Sequence, residues 1–168
     1  MASGKTTVGR ALAERLGRPF SDSDDWIERT FGKTVQELAD ETSIDEMHRL
    51  EAAHLLRALA GPGPDVIAAA ASTIDDPGCR SALSQEGVRV IWLKADPVVL
   101  AARFERKRHR PRFGRSPDDL MAEQAVDRET LFGSLDPIVI ETDGSDPADT
   151  VAAALARLRA GGDDGFAP

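Results

Sequence analysis

The chain has 168 residues, with 29 acidic against 21 basic side chains, a net charge of −8 and one cysteine, Cys79. That length suits a single domain with a sizeable core, and the acidic balance gives no overall attraction for nucleic acid or an anionic membrane, so the expected partner is a small molecule and the expected state a monomer. No run has the length of a membrane span, no signal-peptide profile opens the chain, and Cys79 has no second cysteine for a disulfide or a metal site, which together predict a cytoplasmic protein.

The opening, MASGKTTVGRALAERLG, carries the first chemistry. Gly4, Lys5 and Thr6 match the second half of the phosphate-binding pattern G-x-x-x-x-G-K-[ST], whose first glycine would fall two residues before Met1. In such a loop the backbone around Ser3, Gly4 and Thr7 wraps the phosphates, the ammonium of Lys5 reaches the β and γ oxygens, and the Thr6 hydroxyl ligates Mg²⁺. The helix expected next adds its positive N-terminal end, with Val8, Leu12 and Leu16 on one face and Gly17 as its stop.

RPFSD then predicts a short strand, and Asp22 and Asp24 alternate at its end, so that one carboxylate can face a metal and the other a substrate hydroxyl. Helices are expected over Lys33 to Asp40, Ile44 to Leu59, Pro77 to Ser84, Pro97 to Lys107, Pro117 to Glu129 and Pro147 to Arg159. Buried strands are expected at DVIAAAA, VRVIWLKA and PIVIETD, each bounded by Gly, Pro or Asp. Strands alternating with helices imply a parallel sheet covered on both faces, the three-layer αβα arrangement, in one domain over residues 1–160, and the Gly- and Asp-rich end over 161–168 is expected to be a flexible tail. In phosphate-loop folds the strand feeding the loop is central, so the expectation is that this chain lacks its first, middle strand. Each buried backbone group left unpaired costs about 1–3 kcal/mol, against a domain stability of roughly 5–15 kcal/mol.

GKTTVGRALAERLGRPFSDSDDWIERTFGKTVQEL closely resembles the start of the shikimate kinases, with G-K-[ST]-T-[VI]-G-R, then F-x-D-x-D-x-x-I-E, then G-x-[ST]-[IV]-x-E-[IL]. The resemblance continues through DEMHRLEAAHL, VIAAAASTIDDPGCRSAL, VIWLKADPVVLAAR, RHRPRF and DRETLF. It implies a P-loop kinase that transfers the γ-phosphoryl group of ATP to shikimate, with ATP and Mg²⁺ bound. Asp22 and Thr6 would then hold Mg²⁺, and Asp24 would grip the attacking hydroxyl. Arg110 would be the lid arginine, in a lid around 107–119, that closes over ATP and stabilises the transferring charge. His48, Ala70, Ala71, Ser72 and Arg128 would fall at the acceptor.

Departures from the pattern gather at that acceptor end. The family's F-R-x-x-E arginine, which holds shikimate's carboxylate, is replaced by His48, and Arg49 one residue later is turned about 100° away on a helix. For a carboxylate ligand the exchange costs about 1.5–3 kcal/mol. The glycine triplet becomes Ala70, Ala71 and Ser72, whose Cβ atoms resist positive φ and keep backbone away from a ring. Phe132 stands for the family's tyrosine and Thr130 for its proline, close to Arg128. Beside shikimate, a polyol or cyclitol without a carboxylate suits this end, and a non-catalytic nucleotide- or ligand-binding relative is the reading from outside the enzymes. His54 and His109 read as surface positions, with no spacing among the histidines that suggests a metal site.

Overall fold

The computed structural model describes residues 3–63, 65–105 and 128–161. The opening helix α1, Lys5–Leu16, starts at Gly4 in the left-handed conformation (φ 90°) and stops at Gly17 (φ 62°), as the sequence predicts. Its apolar face, with Val8 and Leu12, packs into a core with Ile140 and with Val151, Ala154, Leu155 and Leu158 of the last helix. Gly9 sits where α1 crosses β1 (Phe20–Asp22). A Cβ there would stand 2.8 Å from the edge of the Phe20 ring and 3.7 Å from the Ala68 Cβ, so a larger residue would push that ring aside.

A helix absent from the sequence reading follows β1 directly: α2, Ser23–Phe31. Asp22 ends the strand and is the N-cap of α2, its carboxylate accepting from the Asp24 amide at 2.9 Å, while Asp24 and Asp25 place negative charge in the first turn. The sequence puts both aspartates just after the strand; in the structure Asp22 is the strand's last residue and the cap of α2, and Asp24 is the second residue of that helix. Next, α3 (Val35–Glu41) begins at a capping box. Thr34 donates its amide to Glu37 at 2.8 Å and accepts from the Glu37 amide at 3.2 Å, which pulls the Glu37 carboxyl below its ordinary pKa. The motif GKTVQEL thus encodes a helix start.

Helix α4, Ile44–Leu59, has the predicted bounds. With α2 and α3 it encloses a second core of Ile27, Leu38 and Met47. DVIAAAA forms a shorter strand than expected, β2 (Val66–Ala68), because the chain turns at Ala71 into a 3₁₀ helix, Ala71–Asp75. Helix α5 (Pro77–Leu83) carries Cys79, fully buried, and burial pushes its thiol up to about 11, an unreactive group. Then come β3 (Ile91–Lys94), α6 (Pro97–Glu105), a helical turn over 128–133 that we call α7, β4 (Ile138–Glu141) and α8 (Pro147–Ala160). The lid region 107–119, most of the expected helix Pro117 to Glu129, His109 and residues 162–168 of the expected tail lie outside the described residues.

Both strand pairs are parallel: β1 with β2 from Phe20↔Val66 to Asp22↔Ala68, and β3 with β4 from Ile91↔Ile138 to Lys94↔Glu141. Among the described residues the two pairs form separate sheets, with β2 and β3 unpaired to each other. A cavity of about 640 Å³ is lined from both sides by Val66 and Ile67 of β2 and by Ile91 and Leu93 of β3. Helix α1 packs on β1, β2 and α8, and α8 packs on β4, so the helix pair joins the two sheets.

Candidate active site

The site grows from the junction of α1 with β1. Lys5 is the first residue of α1 and, with Ser3, lines the cavity. Thr6 follows and donates its hydroxyl to Asp22 Oδ2 at 2.8 Å, while the other oxygen of that carboxylate caps α2 at Asp24. One buried carboxylate therefore links the phosphate-loop hydroxyl to the start of the next helix, and Asp24 sits half-buried beside it. Thr7 is exposed. Among the described residues no group of three or more His, Cys, Asp or Glu forms a metal cluster. A hydroxyl beside one carboxylate is instead the sparse donor set that suits Mg²⁺, which keeps most of its waters and takes its remaining ligands from phosphates. The residues present fit that ion.

The acceptor end is assembled from further apart. His48 is half-buried on α4, and Arg49 points to solvent, paired with Glu46 at 2.6 Å. One turn on from His48 is Glu51, which sequence reasoning did not single out although it occupies the final position of F-R-x-x-E. Glu51 accepts a hydrogen bond from the Ser72 hydroxyl. Burial pushes its carboxyl up; the Ser72 bond, His48 and Lys5 pull it down, and Asp24 adds to the rise. These neighbours put Glu51 between the phosphate end and the acceptor end. Ala70 enters the 3₁₀ helix at φ −62°, and among the described residues Asp136 is the one non-glycine with positive φ, so the alanine and serine positions adopt ordinary backbone as their Cβ atoms require.

Arg128 is 9% exposed and held by Asp75, its Nε donating to both carboxylate oxygens at 3.1 Å and its Nη2 to Oδ2 at 2.5 Å. Asp75 was not singled out from the sequence, and nothing local marks it. Phe132 of α7 stacks on Trp92 of β3 with centroids 5.0 Å apart, and Glu129 pairs with Lys94 at 2.6 Å, which fastens Arg128's helix to the second sheet. Arg110 lies outside the described residues.

His54 corrects the sequence reading, which put it on the surface: it is 2% exposed. It follows Met47 and precedes Leu55 on the buried stripe of α4, so the helical period carried the signal. Its Nε2 shares a 2.8 Å hydrogen bond with the Ser21 hydroxyl of β1, and Trp26 covers the ring. Charging the ring needs an N–H on both nitrogens, and Nδ1 has no partner among the described residues. Burial accordingly pushes the His54 pKa down, against the pull of Asp22.

Known proteins resemble the chain in sequence and in fold. Residues 1–159 match the family model for shikimate kinase. A shikimate kinase from Symbiobacterium thermophilum is 36% identical over 171 residues, covering 98% of this chain and 95% of that one. One from Caulobacter vibrioides is 32% identical over 160 residues, covering 95% and 78%. Among solved structures, shikimate kinase from Acinetobacter baumannii in complex with shikimate superposes with a TM-score of 0.86 at 28% identity over 96% of this chain and 89% of that one. Shikimate kinase from Aquifex aeolicus, at 18% identity and a TM-score of 0.74 over 97% and 94%, shares the fold. The architecture is thus the αβα P-loop class, and no described helix is long and apolar enough to cross a membrane.

Proposed function

Since the chain belongs to the shikimate kinase family, we propose that it transfers the γ-phosphoryl group of ATP to a hydroxyl of shikimate, with the phosphate end and the acceptor end just described as its two halves. Phosphoryl transfer asks little covalent chemistry of a protein; it asks for alignment and for positive charge where negative charge develops. Lys5 and the N-terminal end of α1, with Ser3, Gly4 and Thr7, supply that charge around the phosphates. Thr6 and Asp22 would hold Mg²⁺, which neutralises charge on the phosphate oxygens when bound. Asp24 takes the proton from the attacking hydroxyl and orients it. His48, Ala70, Ala71, Ser72 and Arg128 border the acceptor, and Arg110 closes over ATP.

The observation that carries this reading is the 2.8 Å bond from Thr6 to Asp22, whose second oxygen holds the amide of Asp24. That chain of contacts supports Asp24 as the carboxylate that acts beside the phosphate loop. The test is ADP release on addition of shikimate. Turnover that depends on shikimate, and falls about 10²- to 10³-fold in Lys5→Ala with the circular dichroism unchanged, is the expected result. Unchanged release from Lys5→Ala would overturn the phosphate-loop assignment, and ATP binding without shikimate-dependent release would overturn the acceptor.

A further inference from the structure

The 3₁₀ helix Ala71–Asp75 carries two polar side chains three residues apart, Ser72 buried and Asp75 exposed. Ser72 is hydrogen-bonded to Glu51, and Asp75, one turn later, grips Arg128. The mount is stiff. Arg80 donates to the Ile74 carbonyl at 2.7 Å, and Asp76 caps α5 through the Cys79 amide at 2.7 Å. Asp75 is therefore a carboxylate held in place by its surroundings.

What it holds is the cationic group that lines the cavity beside Ala70 and Ala71. A guanidinium fork binds a carboxylate through paired N–H donors, and Asp75 already takes the Nε and Nη2 edge of Arg128. An anionic acceptor group arriving there meets a guanidinium that is nearly buried and already partnered by the Asp75 carboxylate, whose own side chain is 43% exposed. His48 acts in the same direction, standing where the family resemblance calls for an arginine. One cation fewer and one anion more both lower the positive potential at this end.

We propose that Asp75 is a specificity-determining residue: it competes with the acceptor's carboxylate for Arg128 and so sets how much affinity this chain draws from an acid group on its acceptor. The inference rests on the kinase reading for the identity of the acceptor, and the experiment keeps the two apart. The full chain and Asp75→Asn are compared in KM and kcat for shikimate and for its uncharged carboxamide at saturating ATP, and in equilibrium binding of both without ATP. Asparagine keeps the shape and removes the charge. The expected result is that Asp75→Asn lowers the KM and the dissociation constant for shikimate about tenfold while leaving the carboxamide nearly unchanged. A preference for shikimate that falls or stays the same would overturn the proposal and leave Asp75 as a support for Arg128.

The parent chain gives a second measurement that needs no variant. Competition at Arg128 predicts that it prefers shikimate over the carboxamide by less than about tenfold, and a preference above about a hundredfold would overturn the proposal. Binding of both acceptors with no turnover of either would instead sink the kinase reading while leaving the binding comparison to decide on Asp75.

Discussion

The two ends of the site are built by different routes. At the phosphate end Gly4, Lys5 and Thr6 are consecutive, and Asp22 reaches Thr6 from the strand that α1 packs on. At the acceptor end Glu51 meets Ser72 from 21 residues away and Arg128 meets Asp75 across 53. The first end combines local backbone geometry, a left-handed glycine followed by a helix start, with one side-chain bond across 16 residues. The second is fixed by side chains that tertiary packing brings together, so single substitutions retune it without disturbing the first.

Asp24 is the sharpest place to break that division, because the proposed mechanism has it serve both ends. Asp24→Asn is expected to lower turnover about 10²- to 10⁴-fold while leaving ATP affinity nearly unchanged. Loss of ATP binding instead, read by isothermal calorimetry, would move Asp24 wholly to the phosphate end. The next effect is smaller and confined to the acceptor. His48→Arg restores a planar fork and is expected to tighten shikimate about ten- to a hundredfold, or about 1.5–3 kcal/mol, with kcat and the KM for ATP little changed. No gain in shikimate affinity would mean that α4 does not face the acceptor as proposed.

The smallest effect tests the seam between the two ends. His54 ties α4, which carries His48 and Glu51, to β1, which carries Asp22. Its pKa is pushed below the ordinary 6.5, so the unfolded chain binds the proton more readily than the folded one. Stability therefore declines as pH falls through about 6.5 and levels off only below the folded pKa. Thermal melts between about pH 8 and pH 5 should show the decline, and His54→Gln, which keeps a donor toward Ser21 and cannot titrate, should flatten the part due to this residue. An identical profile in His54→Gln would show the seam to be electrically silent.

The same division explains how much was legible in the sequence. The phosphate loop, α1 with its glycine stop, and all four strand positions follow from motif, periodicity and bounding Gly, Pro or Asp. Helix α2 was hidden because SDSDD suggests a strand end with alternating carboxylates, whereas Asp22 caps a helix that pairs acidic first-turn residues with its own dipole. The 3₁₀ helix Ala71–Asp75 was hidden because it begins at the last residue of DVIAAAA, where an alanine run marks neither the end of a strand nor a turn. Glu51 and His54 did leave signals, one in F-R-x-x-E and one in the buried stripe of α4. Asp75 left none: its role exists only through Arg128, and a partner 53 residues distant has no local imprint.

The split sheet bears on how the molecule unfolds. Among the described residues no backbone ladder joins β1–β2 to β3–β4, so cooperativity passes instead through the contact of α1 with α8, where Ala154 is fully buried against Val8 and Leu12. A larger side chain at Ala154 would wedge that contact, and amide exchange in the two strand pairs, otherwise in step, would separate into two rates. The phosphate-loop helix is thus also the coupling element that makes two small sheets lose their structure as one.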